Sequence, residues 1–294
     1  MNYLDTLQNS SQLVGNCACI GLDPVPEKMP SGLSLEQFFE SFLTCLKQKS
    51  LIPAAFKPNI AYFAAVNKPL ADDFSGYKAL AFIIKCIRHL FPQVPIILDA
   101  KRGDIATSSE KYASEAFSAW TADAVTVSGY MGHDSVLPFC STFEGRGVYV
   151  LNRTSNAGAT DVQNLKVVSP ISDDSSGFRY LYEELAHQII QYAKKYSGIG
   201  AVVGATGLEE LATISRLYSN LHPVPLLIPG AGAQGGSAQE VIEVLRKSDY
   251  PLYLVRINSS SGLTSPWKKA GAAPENWLDA CMDAVKTFIA ETSV

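Results

Sequence analysis

Short apolar runs that stop at Gly, Asp, Asn or Pro recur along the chain, separated by longer stretches with apolar residues three and four apart. The first pattern fits a strand buried on both faces, the second an amphipathic helix. Strands are expected near residues 17–21, 54–57, 95–99, 124–127, 147–151, 200–203, 224–228 and 251–257. Helical spacing occupies 35–46, 77–90, 111–120, 180–196, 208–217 and 241–245, with a last helix at 277–290. Tyr3, Leu4, Leu7, Leu13 and Val14 predict a first helix over about 3–14. Eight strands alternating with helices predict an α/β fold, a single-domain (β/α)8 TIM barrel over residues 1–294. A doubly wound open sheet is the alternative. It favours a GxGxxG turn after its first strand, whereas this strand ends in Gly21-Leu22-Asp23-Pro24. The stretch 157–178 has no clear period; following the fifth strand, it would be a long loop over the active-site face.

Composition narrows the function classes. With 47% hydrophobic and 18% charged residues the chain has the make-up of a protein with a substantial core. A net charge of −4 offers no general attraction to nucleic acid or an anionic membrane, so an anionic substrate needs a local positive site. No apolar run reaches the roughly 18 to 20 residues of a membrane span. The first residues lack the basic and apolar regions of a signal peptide, which points to a cytoplasmic protein. Six cysteines with mostly apolar neighbours and no CxxC pair read as reduced, buried thiols. Four scattered His residues suggest no zinc site.

Charge gathers at the strand ends. Asp23, Lys57, Asp99 and Lys101 close three successive strands, and their side chains would meet around one barrel mouth. Asp99 and Lys101, two apart, share one side of their strand, and Gly103 lets the chain turn before Asp104. Each has a plainer reading. Asp104 alone would be a turn residue, Thr107 with Glu110 fits a helix capping box, and Lys57 could be a snorkelling surface group. Convergence weakens those readings, because grouped charges lose solvation unless they pair and serve a reaction.

At these residues the chain resembles the orotidine 5′-phosphate decarboxylases, in their second, longer subgroup. LDAKRGDI at 98–105 matches their D-x-K-x-x-D signature. The likeness continues through GLDP at 21–24, FKPNIAYF at 56–63, RTSNAG at 153–158 and IPGAGAQGG at 228–236. It implies cofactor-free decarboxylation of orotidine 5′-phosphate to UMP in pyrimidine biosynthesis, by a homodimer. Lys101 would protonate C6, Asp99 would face the substrate carboxylate, and Asp23 and Lys57 would bind the ribose hydroxyls. Asp104 would be lent to the neighbouring chain's site. Ser108 and Ser155 would contact substrate, with Ser155 on the pyrimidine. Gln234 would bridge base and phosphate, and the backbone of 230–236, including Gly230, Gly232 and Gly235, would grip the phosphate with Ser260 and Ser261. Carboxylates flanking Lys101 suit an ammonium that quenches a carbanion and not a Schiff-base amine.

Two rivals differ in class. A magnesium-dependent sugar-phosphate decarboxylase or synthase shares D-x-K-x-x-D, but holds its metal with an acid at the second strand end, where this chain has Lys57. A non-catalytic nucleotide-binding barrel would not be expected to keep Asp99, Lys101 and Asp104 together. One departure stands out. Related sequences carry a phosphate-clamping Arg where this chain has Ser261. Arg256, five positions back, could take that place only if the chain bends or bulges; in a regular strand it is expected to face the outer helices and pair with an acid there, leaving the backbone of 230–236, Gln234 and serine hydroxyls for the phosphate.

Overall fold

A computed structural model describes residues 2–168, 177–231, 236–269 and 272–294. Eight parallel strands form one sheet: β1 (Ala18–Leu22), β2 (Ala55–Pro58), β3 (Ile97–Arg102), β4 (Ala124–Ser128), β5 (Gly147–Arg153), β8 (Ile199–Val203), β9 (Leu226–Pro229) and β10 (Val255–Ser259). A separate antiparallel pair, β6 (Lys166–Val168) and β7 (Phe178–Tyr180), lies between β5 and β8 in sequence. The sheet runs β2-β1-β10-β9-β8-β5-β4-β3, and the parallel bridges Phe56 to Ile96 and Asn59 to Asp99 join its two outer strands. The ring is thereby nearly closed into the expected barrel.

The helices follow from local sequence. In α2 (Leu35–Gln48) Ser34 and Gln37 form a reciprocal capping box, and Phe38, Phe39, Phe42, Leu43 and Leu46 supply the buried stripe. In α4 (Ser75–Leu90), Leu80, Ile83, Ile84 and Ile87 repeat that spacing. The expected helices at 180–196, 208–217, 241–245 and 277–290 correspond to α7 (Leu181–Lys195), α8 (Leu208–Leu221), α9 (Ala238–Lys247) and α11 (Trp277–Glu291). Two helices lacked a clear sequence signal: α3 (Ile60–Ala64) and α6 (His133–Thr142), the second carrying Pro138 inside it. The helix expected at 111–120 is α5 (Ala106–Ser114) continued by a π turn over Glu115–Ala119. The last strand is shorter than expected, because Leu252–Leu254 form a 3-10 turn before it. The stretch 157–178 contains a 3-10 turn, Ala157–Asp161, and the arms of the β6–β7 pair; 169–176 lie outside the described residues.

The floor of the barrel is sealed from below. The first helix, α1 (Tyr3–Val14), places Tyr3 and Leu7 against an inner layer of Cys19, Ala55, Ile97, Ala124, Tyr149, Val202, Leu227 and Leu254. The Tyr3 hydroxyl donates to that of Tyr149 at 3.0 Å, and the two rings meet edge-on. Gly147 leaves room for the Tyr3 ring, since a Cβ there would lie 2.4 Å from it.

Arg256 corrects the expectation drawn from its position. It is 0% exposed and points into the floor, not out to the helices. Its Nε donates to the carbonyl of Ala54, Nη1 to those of Tyr253 and Val255, and Nη2 to that of Leu7 in α1. Its partners are carbonyls, not an acid. The parity count failed because β10 ends at Ser259, and Ser260 turns the chain into α10 (Ser261–Thr264). Alternation holds within a strand and does not carry through a turn.

Candidate active site

The C-terminal ends of the strands open into a cavity of about 670 Å³. Asp23, Lys57, Asp99 and Lys101 line it from β1 to β3, as do Ser155, Gly230, Ser260 and Ser261 from the far strands. The convergence expected of these eight residues is present.

Asp99 is the hub. Its Oδ2 lies 2.7 Å from Lys57 Nζ and its Oδ1 lies 2.6 Å from Lys101 Nζ. Lys57 and Asp99 are 3% and 7% exposed, whereas half of the Lys101 side chain faces the cavity. Burial acts to raise the Asp99 carboxyl, but the two ammonium groups outweigh it and hold Asp99 well below the usual carboxylate range. Burial likewise opposes charge on Lys57, and Asp99 and Asp23 outweigh it, so the ammonium is held above the ordinary lysine value. Lys57 and Asp99 are therefore held in their ionised forms. Lys57 is not a snorkelling surface group.

A local irregularity delivers Lys101 to the cavity. Along β3 and β4, Leu98 faces Val125, yet Arg102 faces Val127, so the register shifts between these pairs. Lys101 sits in this bulge at φ +45°, a left-handed conformation that costs a non-glycine residue roughly 1–2 kcal/mol. Beyond it, Arg102 grips Glu115 with Nε and Nη2 at 3.0 and 2.8 Å, at the start of the π turn. That fork ties the strand end to the helix after it.

Asp104 and Ser108 do not line this cavity. Asp104 Oδ1 accepts from the Ile105 N–H at 2.8 Å, and its carbonyl accepts from the Ser109 hydroxyl at 2.6 Å. The expected Thr107–Glu110 capping box is absent: α5 begins at Ala106, after Ile105, with no side-chain cap. The chain reaches the helix through Ala106 at φ +47°, which sets the helix start one residue before Thr107.

The far wall is set by close backbone approach. A Cβ on Gly21 would lie 1.8 Å from Ser260 Oγ, and one on Gly204 would lie 2.7 Å from Ser155 Cα. Arg153 pairs with Glu210 at 2.9 Å and donates to the Thr154 carbonyl. Gln163 holds Thr154 from both ends of its amide, at 2.9 and 2.8 Å. Asp23 lines the cavity, and its Oδ1 is buried with no hydrogen-bond partner among the described residues. Gly232, Gln234 and Gly235 lie outside the described residues.

Residues 18–250 match the orotidine 5′-phosphate decarboxylase / HUMPS family. The chain belongs to that family. The orotidine 5′-phosphate decarboxylase of Verminephrobacter eiseniae is 39% identical over 263 residues, covering 88% of each chain. The OMP decarboxylase structure of Leishmania donovani superposes with a TM-score of 0.72 at 28% identity, covering 99% of both. The UMP synthase structure of the same organism is 30% identical with a TM-score of 0.75; this chain spans 57% of that longer one.

Sequence reasoning about this family member missed Thr126, Arg102 with Glu115, and Gln163. Thr126 carried a weak signal, as a polar residue between two valines in a buried strand. Gln163 carried none, because its partner lies nine residues away across a loop.

Proposed function

We propose that this chain decarboxylates orotidine 5′-phosphate to UMP without a cofactor. The observation that carries this reading is the Asp99 carboxylate bridged between Lys57 and Lys101 in the cavity wall. The substrate carboxylate sits beside Asp99. The bond from C6 to that carboxylate breaks, carbon dioxide leaves, and the electron pair stays on C6. The Lys101 ammonium then gives C6 its proton. A fixed positive charge beside a developing carbanion is the kind of preorganised electrostatic stabilisation that contributes most to such barriers. Asp23 and Lys57 suit ribose hydroxyls, and Ser155 suits the pyrimidine. Gly230, Ser260 and Ser261, with Gly232, Gln234 and Gly235, suit the phosphate.

The chain acts as a cytoplasmic homodimer in this reading. Asp104 and Ser108 do not line the cavity of their own chain, and the exposed side chains of Ile105, Tyr130 and Met131 lie on segments beside them. Such apolar exposure fits a surface that a second copy covers, bringing Asp104 to its site. All six cysteines are unpaired; burial pushes Cys17, Cys19, Cys140 and Cys281 up to about 12, which suits a reducing compartment.

One set of assays tests this. Purified protein given orotidine 5′-phosphate and excess chelator is expected to form UMP, and Lys101→Ala is expected to form none above background. Mixing Lys101→Ala with Asp104→Ala chains is expected to restore part of the activity, since one site of each heterodimer would be intact. Activity that needs magnesium would revive the sugar-phosphate rival. Verified heterodimers that stay inactive would remove the shared site.

A further inference from the structure

The bulge in β3 creates a problem that one side chain solves. Between Leu98 and Arg102, where the register shifts, the amides of Ala100 and Lys101 both point towards β4, and neither residue has a ladder partner there. Both donate instead to Thr126 Oγ1, each at 3.0 Å. A hydroxyl has two lone pairs and one proton. With both lone pairs engaged, the proton has one remaining direction, and Thr126 Oγ1 donates to Asp99 Oδ1 at 2.8 Å. That carboxylate oxygen is also the one that holds Lys101 Nζ.

We propose that Thr126 is a positioning residue for the decarboxylation: its hydroxyl holds the left-handed backbone at Lys101 and, through the same atom, fixes the carboxylate that aims the Lys101 ammonium. The inference rests on the decarboxylase reading above. Thr126 is 1% exposed and packed within β4, so its rotamer is set by its surroundings. The β-branched side chain limits it further. Valine has nearly the same shape and none of the hydrogen bonds. Its introduction leaves two part-buried amides without that acceptor, one of them on the residue that already bears an unfavourable φ, and it frees one side of Asp99. The contacts proposed for phosphate and pyrimidine lie elsewhere in the cavity, and Lys57 keeps its bond to the other oxygen of Asp99, so the loss falls on the chemical step more than on binding.

The test compares wild type, Thr126→Val and Thr126→Ser for kcat, KM, UMP affinity and thermal midpoint. Thr126→Val is expected to lower kcat about a hundredfold, as for loss of a hydrogen bond to a charged group with two dependent amides, while KM and UMP affinity change less than about threefold. Thr126→Ser, which restores the hydroxyl, is expected to return kcat to within about fivefold of wild type. If the valine variant does not fold, Thr126→Cys, whose thiol is a poor donor and acceptor, is expected to show the same split. A folded valine or cysteine variant with kcat within threefold of wild type overturns the proposal. So does a serine variant as impaired as valine, or a loss confined to KM. Wild-type protein that forms no UMP removes the decarboxylase reading itself, and this inference with it; normal wild-type turnover with an unimpaired valine variant removes this inference alone.

Discussion

Two buried cations stand at opposite ends of the same barrel. Lys57, at the mouth, is 3% exposed and held by a carboxylate; Arg256, in the floor, is 0% exposed and held by four carbonyls. Both have lost water, yet what replaces it differs. Lys57 is matched by full charges, and its pair opens onto a cavity where a substrate can join the network. Arg256 has its fork spread over main-chain oxygens from the residue before β2, from β10 and its approach, and from α1, so it acts as a strut between the barrel and the helix that plugs it. The planar five-donor guanidinium suits the second task, and a compact ammonium the first. Burial of a charge by itself therefore says little about function; the chemistry of its partners separates site from scaffold.

Substitution at each end sharpens that contrast. Lys57→Met is expected to lower kcat by roughly 10²–10³-fold, the usual scale for deleting a preorganised electrostatic group, with the chain still folded. Activity within tenfold of wild type would place Lys57 outside the catalytic network. Arg256→Met leaves four carbonyls without their donor and is expected to destabilise the fold by about 3 kcal/mol. Urea unfolding reads that loss, while kcat per folded molecule stays within about twofold. A normal unfolding midpoint with impaired turnover would reverse the assignment.

The smallest effect lies in pH. Because the Asp99 carboxyl is held low in the fold, its stabilising contribution is complete above the unfolded value of about 3.9 and fades as pH falls towards the folded one. Lys57 is held high, so its contribution is complete below about 10.4 and fades as pH rises past that value. Wild type and Asp99→Asn are therefore expected to differ in unfolding free energy by a constant amount between about pH 5 and 9. Below about pH 4 wild type should lose stability relative to the variant. A gap that widens in favour of wild type on acidification would contradict the direction assigned to Asp99.

Much of the mouth was legible because its signals are local. Asp99 and Lys101 are two apart in one strand, and the family motifs place Asp23, Lys57 and Ser155 in order along the chain. The floor was less so. Arg256 was assigned to the wrong side because the count ran through the turn at Ser260. The carbonyls it needs come from Leu7, Ala54, Tyr253 and Val255, which no spacing rule connects. Thr126 was missed for a similar reason: its value depends on a register shift in the neighbouring strand, not on its own neighbours in sequence.

Periodic burial and strand-end charge, read from the sequence alone, determined the eightfold alternation, the barrel and the gathering of charged residues at its mouth. These properties are written in neighbouring residues, since a strand or helix exposes its pattern within a few positions. Only the tertiary structure decided which way Arg256 points, that Lys101 rests in a left-handed bulge, that Thr126 closes that bulge, and that Asp104 does not line the cavity of its own chain. Each depends on where a second strand or helix places its carbonyls and amides once the ring has closed. A buried polar group must find a partner in space, and that partner has no fixed distance along the chain.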